Sequence, residues 1–199
     1  MIRHDAVAQH TVVGVLLAAG AGRRMGGPKA LLRDRDGTSW LVRSLHALQD
    51  GGCDDVLVVL GCRHESAAAL LDGESATVIV SNDWAEGMGA SLRCGLLRAT
   101  QTAAQLALVS LVDLPDVGPA VVRRVLGSTS GGAGSLSRAA YQGVPGHPVA
   151  LGRAHWAGVL GAAVGDRGAR DYLAQNEVDL VECGDLARGV DIDHRRNLS

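Results

Sequence analysis

The stretch that decides the fold is VVGVLLAA, residues 12–19, which runs directly into the glycine-rich segment GAGRRMGGP, residues 20–28. A short, unbroken apolar run is typical of a strand buried on both faces, as in a parallel sheet. Glycines let the chain turn tightly after the strand and let backbone N–H groups approach an anion. Because Arg23, Arg24 and Lys29 add positive charge, this turn predicts a polyphosphate site.

The rest of the chain alternates apolar runs with segments of helical spacing. Leu41, Leu45 and Leu48 follow i, i+4, i+7 spacing, which predicts a helix capped by Thr38 or Ser39 and ended by Gly51 and Gly52. The alternation predicts a three-layer α/β fold with a mostly parallel sheet. We predict strands over residues 12–19, 54–61, 77–80, 106–113 and 179–183, two more strands within 135–151, and helices within 64–71, 87–100, 119–126, 153–160 and 167–175.

The domain organisation is simple. We predict a flexible N-terminal segment over residues 1–10 and a single domain over residues 11–199, since neither a repeat nor an interdomain linker interrupts the pattern. The Gly/Ser-rich segment 127–134 is the one predicted flexible loop.

The composition excludes several classes of function. The 199 residues carry a net charge of −2, so no overall positive field attracts nucleic acid or an anionic membrane. No apolar run approaches the ~20 residues of a membrane helix. Four scattered cysteines without a CxxC spacing favour a reduced, cytoplasmic protein over a zinc site or a disulfide framework. Lys29 is the one lysine among 19 basic residues, which indicates that a compact ammonium is needed there.

Two well-known phosphate loops fit the glycine-rich segment poorly. A Walker A loop ends in GK[ST], whereas here a proline precedes Lys29 and Ala30 follows it, which leaves no hydroxyl for magnesium. A dinucleotide fingerprint needs GxGxxG, whereas the spacing between glycines 22 and 26 is one residue too long for that motif. The second strand also ends at Gly61 without an acid for a ribose. A plain glycine-rich turn is the structural alternative to a phosphate site.

LAAGAGRRMGGPK, residues 17–29, resembles the motif LAAGxSxRMGxxK of the molybdenum-cofactor nucleotidyltransferases. LAAG, rather than LAGG, is more similar to the cytidylyltransferase (MocA-like) branch than to the guanylyltransferase (MobA-like) branch. The resemblance extends over residues 16–193 and implies a Rossmann-like sheet with one antiparallel strand. It also implies transfer of CMP from CTP to the terminal phosphate of the molybdopterin cofactor, with release of pyrophosphate.

The resemblance implies roles for the residues of the first motif. The glycine loop would hold the triphosphate, Arg24 would neutralise its outer phosphates, and Lys29 would stabilise charge on the α-phosphoryl group. Backbone groups near Leu17 and the Ser91 hydroxyl would read the base. The nucleotide-binding residues implied are Leu17, Ala18, Ala19, Gly20, Gly22, Arg24, Lys29, Asn82, Gly89 and Ser91.

A second motif, NDWAEGMGASLRCGL at residues 82–96, resembles the N-x-x-W-x-x-G-M-G-x-S-L segment of the same branch. It predicts a glycine-rich turn that leads into a helix capped between Gly89 and Ser91. The free N–H groups of such a helix bind anions. A capped helix without a ligand is the alternative.

A third motif, LVDLPDV at residues 111–117, places Asp113 at the carboxyl end of a buried strand, where open α/β sheets bind ligands. A carboxylate there suits Mg²⁺. The motif resembles the family's Cys-Asp-Gln-Pro or Gly-Asp-Met-Pro, which implies that Asp113 binds the metal, although Leu114 replaces a polar or sulfur-containing residue. The alternative is an aspartate that caps a turn.

A fourth motif, VDIDHRRNL at residues 190–198, holds two acids. On a strand, Asp191 and Asp193 point to opposite faces, so only one of them can share a metal with Asp113. The family's DIDTPEDL implies Asp193 as the second Mg²⁺ ligand. Residues 194–197, HRRN, depart from the family's Thr-Pro-Glu-Asp, and a solvated acidic tail is the alternative.

Two further segments, 144–156 and 165–173, resemble the same branch and imply an acceptor pocket. His147, Arg167 and Arg170 are the implied acceptor-binding residues; a turn-holding histidine and helix-flanking arginines are the alternatives. The partners implied are the nucleotide, the molybdopterin acceptor, and a molybdoenzyme or its maturation chaperone.

Three other functions stay open at this point. The first is a nucleotidyltransferase that uses GTP or another acceptor. The second is a dehydrogenase, and the third is a non-catalytic protein that binds nucleotide or a molybdoenzyme. Nucleotide competition, NAD binding and pyrophosphate release distinguish them.

Overall fold

The computed structural model describes residues 11–129 and 132–192. The predicted flexible segment 1–10 and the predicted metal ligand Asp193 lie outside the described residues, as do residues 130 and 131 of the predicted loop. The interpretation of residues 11–199 as a single domain stays a prediction.

Seven strands and six α-helices alternate along the described ranges. The strands are β1 Val12–Ala18, β2 Asp55–Leu60, β3 Thr77–Val80, β4 Leu106–Leu111, β5 Leu136–Tyr141, β6 Val144–Gly152 and β7 Asp179–Glu182. The α-helices are α1 Trp40–Gly51, α2 His64–Ala68, α3 Met88–Ala99, α4 Pro119–Gly127, α5 Arg153–Ala162 and α6 Arg170–Ala174. Short 3₁₀ turns occur at Arg23–Met25, Lys29–Leu31, Ala69–Leu71, Trp84–Glu86, Gly132–Gly134 and Gly165–Arg167.

The strands form one sheet in the order β3-β2-β1-β4-β6-β5-β7. Strand β6 runs antiparallel to both of its neighbours, β4 and β5, and every other pairing is parallel. The predicted fold class, a mostly parallel three-layer sheet with one antiparallel strand, is therefore confirmed.

Strand β1 is buried along its whole length because both faces of the sheet are covered. Val13, Val15 and Leu17 pack into one core with residues of α3 and α5, while Leu16 and Ala18 pack into the other core with residues of α1 and α4. Successive side chains of a strand alternate between faces, so an unbroken apolar run is the expected sequence of a strand with a helix layer on each side.

Helix α1 begins and ends as its sequence predicts. The Ser39 side chain accepts a hydrogen bond from the Val42 N–H at 3.5 Å, which satisfies one free donor of the first turn. Gly52 ends the helix in the left-handed conformation, and its N–H bonds back to the carbonyls of Leu48 and Gln49. In the described part of the chain, no helix is both long enough and apolar enough to cross a membrane.

Helices α1 and α4 approach closely at Gly51, where a Cβ would overlap the Val122 side chain. We expect Gly51→Ala to lower the free energy of unfolding by about 1–3 kcal/mol, because added atoms force rearrangement in a packed core. Chemical denaturation with urea measures this change. The matched control is Gly127→Ala, since that glycine has no atom within 4 Å of an added Cβ. An unchanged stability of Gly51→Ala would show that the two helices can separate at little cost.

Candidate active site

The glycine-rich loop after β1 folds back on itself. The Gly22 carbonyl accepts hydrogen bonds from the N–H groups of Met25 at 2.8 Å and Gly27 at 3.2 Å. Gly22 has a positive φ of 56°, and a Cβ there would overlap the Gly27 carbonyl, so only glycine fits this turn. The Met25 side chain is fully buried and fixes the loop to the core beneath it.

Lys29 and Asp113 meet although they are 84 residues apart in the chain. The Lys29 Nζ lies 2.7 Å from the Asp113 Oδ2, and the two side chains are 15% and 16% exposed. Lys29 begins a 3₁₀ turn after the glycine loop, and Asp113 lies two residues beyond β4. Since β4 pairs directly with β1 and runs parallel to it, the turns after these two strands lie side by side at the carboxyl end of the sheet.

The second oxygen of Asp113 has a different environment. Oδ1 is buried and has no hydrogen-bond partner among the described residues. A buried polar atom without a partner costs about 1–3 kcal/mol, and a carboxylate oxygen in this state is a good ligand for a hard cation. Asp113 therefore fits the implied Mg²⁺. The described ranges contain no group of three or more His, Cys, Asp or Glu residues suited to a metal ion.

A cavity of about 430 Å³ opens between the glycine loop, the start of α3 and the turn after β4. Eight of the ten predicted nucleotide-binding residues line it: Leu17, Ala18, Ala19, Gly20, Gly22, Arg24, Lys29 and Ser91. Asp113 lines the same cavity. We call it the nucleotide cavity.

Two predicted nucleotide-binding residues do not line this cavity. Asn82 is exposed on the turn before α3. Gly89 is buried, and a Cβ there would lie 2.8 Å from the backbone of Ala163, so this glycine lets α3 contact the end of α5.

Helix α3 begins earlier than its sequence predicts. Its first residue is Met88, and Gly87 precedes it with a positive φ of 117°. Ser91 therefore lies within the helix and is 5% exposed, rather than capping it. The helix starts early because Gly87 adopts a backbone conformation that side-chain-bearing residues rarely reach.

Trp84 and Asp166 line the nucleotide cavity without having been predicted as site residues. A Cβ at Gly61 would lie 2.6 Å from Trp84, so the glycine after β2 makes room for the indole. The tryptophan of the N-x-x-W motif was the available signal for Trp84. Asp166 lies in segment 165–173, which resembles the same branch, and that segment was the available signal for it.

A second cavity of about 660 Å³ adjoins the first, and Leu17, Met88, Leu111 and Asp166 line both. The three predicted acceptor-binding residues, His147, Arg167 and Arg170, all line this second cavity. Apolar residues of the sheet, among them Val109, Val149 and Leu151, form part of its lining. We call it the acceptor cavity.

The C-terminal segment reaches the same region without forming a strand. The Ile192 N–H donates to the Asp113 carbonyl at 3.1 Å, and Asp191 lines the acceptor cavity. The prediction that Asp191 lies on a strand is wrong, since residues 190–192 have no strand partner among the described residues. The segment is held by this contact with the turn after β4.

His147 is neutral at physiological pH. Burial, and then the positive charge of Arg138, lowers its pKa from 6.5 to about 4. Between these two values the unfolded chain binds a proton that the folded chain does not, so stability is full above about pH 6.5 and falls as the pH drops towards 4.

We expect this histidine to contribute a slope of up to about 1.4 kcal/mol per pH unit to the free energy of unfolding in that window. Urea unfolding at several pH values, compared between the wild type and His147→Asn, measures the contribution. Equal slopes for the two proteins would show that His147 titrates alike in the folded and unfolded chains.

A mostly parallel sheet with a glycine-rich loop after its first strand and an aspartate after its central strand is the arrangement that the nucleotidyltransferase resemblance predicts. The MobA-like NTP transferase domain model matches residues 14–180, and the chain belongs to this family. It is a nucleotidyltransferase of the MobA/MocA type by family and fold.

Known relatives are similar to this chain in sequence and structure over nearly its whole length. Nicotine blue oxidoreductase from Paenarthrobacter nicotinovorans is 38% identical in an alignment of 192 residues that covers 92% of this chain and 92% of that protein. The crystal structure of Rv0371c from Mycobacterium tuberculosis H37Rv superposes with a TM-score of 0.78 at 31% identity, over 95% of this chain and 98% of that chain. A nucleotidyl transferase from Methanothermobacter thermautotroptrophicus gives a TM-score of 0.78 at 25% identity, over 94% of each chain.

A second structure of the Mycobacterium tuberculosis protein is a complex with manganese. It superposes with a TM-score of 0.75 at 30% identity and covers 94% of this chain and 98% of that chain. The metal belongs to that protein's structure.

Proposed function

We propose that this protein transfers CMP from CTP to the terminal phosphate of the molybdopterin cofactor. The observation that carries the proposal is the pair of adjoining cavities, one lined by the glycine loop with Lys29 and Asp113, the other by arginines and His147. An oxygen of the acceptor phosphate attacks the α-phosphorus of CTP, the bond from that phosphorus to the β-phosphate oxygen breaks, and pyrophosphate leaves. Because the two cavities adjoin, the acceptor phosphate and the α-phosphorus of the nucleotide meet while each reactant stays in its own cavity.

The proposed chemistry needs positioning and charge neutralisation more than a covalent nucleophile. The backbone of the glycine loop and the Arg24 guanidinium hold the outer phosphates. Lys29 places a compact positive charge at the α-phosphoryl group, where negative charge develops in the transition state. Backbone groups of residues 17–19 and the Ser91 hydroxyl face the base.

Asp113 and Asp193 are the proposed ligands of Mg²⁺. The buried, unpartnered Oδ1 of Asp113 supports this proposal. When bound, the ion supplies positive charge to the phosphate oxygens. Asp113 would hold the ion, and Lys29, which contacts Asp113, would supply a second positive charge to the phosphates.

His147, Arg167 and Arg170 are the proposed acceptor residues. A neutral imidazole offers one donor and one acceptor to a polar ring, while the two guanidinium groups bind anionic groups. A molybdoenzyme or its maturation chaperone is the proposed protein partner. The cytoplasm is the proposed location, which the four free cysteines support.

Pyrophosphate release from each of the four nucleoside triphosphates, measured with the molybdopterin cofactor and Mg²⁺, tests the proposal. We expect release with CTP that exceeds release with GTP. A preference for GTP would overturn the cytidylyl assignment. Absence of release with every nucleotide would overturn the transfer reaction and leave a non-catalytic binding protein or the second candidate described below.

A second candidate function is an oxidoreductase that binds a nicotinamide dinucleotide in the nucleotide cavity. The 38% identity to nicotine blue oxidoreductase favours it. The turn after β2 opposes it, because Gly61 lies under Trp84 where a dinucleotide site has an acid for the ribose. Fluorescence titration with NADH and NADPH, followed by an assay of their oxidation in the presence of nicotine blue, tests this candidate. If neither dinucleotide binds, the candidate is excluded.

A further inference from the structure

Arg138 is a charged residue in an apolar row of the sheet. The register pairs Val15 on β1 with Val109 on β4, Val109 with Val149 on β6, and Val149 with Arg138 on β5. Directly paired residues project from the same face of a sheet. The three valines pack into the core beneath α3 and α5, so Arg138 extends from the face that is otherwise apolar.

The partners of Arg138 leave its charge unbalanced. Its Nε and Nη2 both donate to the Gly146 carbonyl, at 3.1 and 3.0 Å. Within residues 11–129 and 132–192, no carboxylate forms an ion pair with it. Burial of a charge without a counter-charge is unfavourable, and here burial, followed by the positive charge of Arg170, lowers the pKa of Arg138. The charged group acting on Arg138 is thus a second cation.

Both guanidinium groups line the acceptor cavity. Arg138 is half-buried at its sheet wall, and Arg170 is exposed at the start of α6. Two cations that share a cavity repel each other, and an anion between them removes both the repulsion and the unbalanced charge. Four arginines line this cavity and outnumber its two carboxylates, Asp166 and Asp191, so the cavity has the charge pattern of an oxyanion site.

We propose that Arg138 and Arg170 form a subsite for a second oxyanion group of the acceptor. Arg138 lies two strands beyond β4, which is about 10 Å across the sheet from the strand that leads to Asp113. The acceptor is then an elongated molecule with a phosphate at its reacting end and an oxyanion, such as a metal oxo group, a phosphate or a carboxylate, at the other. This inference rests on the proposed transfer reaction for the identity of the acceptor, but the oxyanion site itself does not.

Isothermal titration of the whole chain with inorganic phosphate tests the subsite without turnover. We expect the wild type to bind phosphate at two sites, of which Lys29→Met removes the one at the glycine loop. Arg138→Met is expected to weaken the other by about 10- to 100-fold, as the loss of a charge-assisted hydrogen bond implies. Arg170→Gln, at an exposed position, is expected to weaken the same site without lowering the melting temperature.

Arg153→Met is the matched control. Arg153 also donates only to backbone carbonyls, those of Thr100, Thr102 and Ala104, and it lines neither cavity. We expect this variant to keep both phosphate sites. Unchanged phosphate binding in both Arg138→Met and Arg170→Gln would overturn the subsite.

Parallel titrations with molybdate and acetate distinguish the sources of the oxyanion. Tighter binding of molybdate indicates a tetrahedral or metal-bound oxygen group, and tighter binding of acetate indicates a carboxylate. If no nucleoside triphosphate releases pyrophosphate, the transfer reaction fails, while loss of phosphate binding in Arg138→Met still supports the subsite. If release is found, Arg138→Met is expected to raise the KM for the acceptor and leave the KM for the nucleotide unchanged.

Discussion

Lys29→Arg is expected to lower the rate of pyrophosphate release by about 100-fold or more while the fold is kept. The Lys29 Nζ contacts the Asp113 Oδ2 at 2.7 Å, and the side chain is only 15% exposed. A guanidinium is planar and longer than an ammonium on its stem, so it displaces either Asp113 or the α-phosphate. Because the charge is unchanged, a large effect would show that the shape of the cation matters.

The measurement is kcat with saturating nucleotide, together with the melting temperature and the nucleotide Kd. The matched control is Arg24→Lys, which makes the opposite exchange at an exposed position of the same loop. We expect it to weaken nucleotide binding by less than about 10-fold, since a solvated cation at the outer phosphates contributes mainly charge. Near-normal turnover of Lys29→Arg would instead make the single lysine an accident of composition.

Asp113→Asn is expected to reduce pyrophosphate release by about 100- to 1,000-fold, the range found when one preorganised electrostatic group is removed. The amide has the shape of the carboxylate but lacks the charge that holds a divalent cation. The buried Oδ1 has no hydrogen-bond partner among the described residues, so the native structure does not depend on that atom. The ion pair with Lys29 is largely buried, with the two side chains 15% and 16% exposed, so removal of one charge is expected to lower the melting temperature. Activity is therefore compared at a temperature at which both proteins are folded.

Binding of Mn²⁺, followed by the relaxation of water protons, is a readout separate from turnover. We expect Asp113→Asn to weaken it at least 10-fold. Asp116→Asn is the control, because Asp116 lies three residues further along, accepts the Arg188 N–H at 2.7 Å and lines neither cavity. Full activity of Asp113→Asn would contradict a metal-binding role for this residue.

The strands and their layers followed from local pattern. VVGVLLAA predicts a strand with helices on both faces because each face of the strand carries apolar residues. The structure places β1 between two hydrophobic cores, one on each face of the sheet. Ser39 and Gly52 likewise marked the ends of α1. These features depend on neighbours in sequence, so sequence alone was sufficient.

The start of α3 and the C-terminal segment were harder to predict. Gly87, in a left-handed conformation, starts α3 before the residues predicted to cap it. Residues 190–192 alternate like a strand but have no strand partner in the described ranges, because the Asp113 carbonyl takes up the Ile192 N–H instead. At α3 the cause is the backbone conformation of one glycine, whereas at residues 190–192 a contact between distant segments overrides the local pattern.

The sequence by itself determined the fold class and the glycine loop after its first strand, and it singled out one lysine for testing, because these depend on local pattern and composition. Only the tertiary structure decided that Lys29 contacts Asp113, that Trp84 packs on Gly61, and that Arg138 shares a cavity with Arg170. The sheet order places β3 beside β2, β4 beside β1, and β5 two strands beyond β4, and so brings these residues together. Strand order results from packing and chain connection over the whole domain, and no short motif records it.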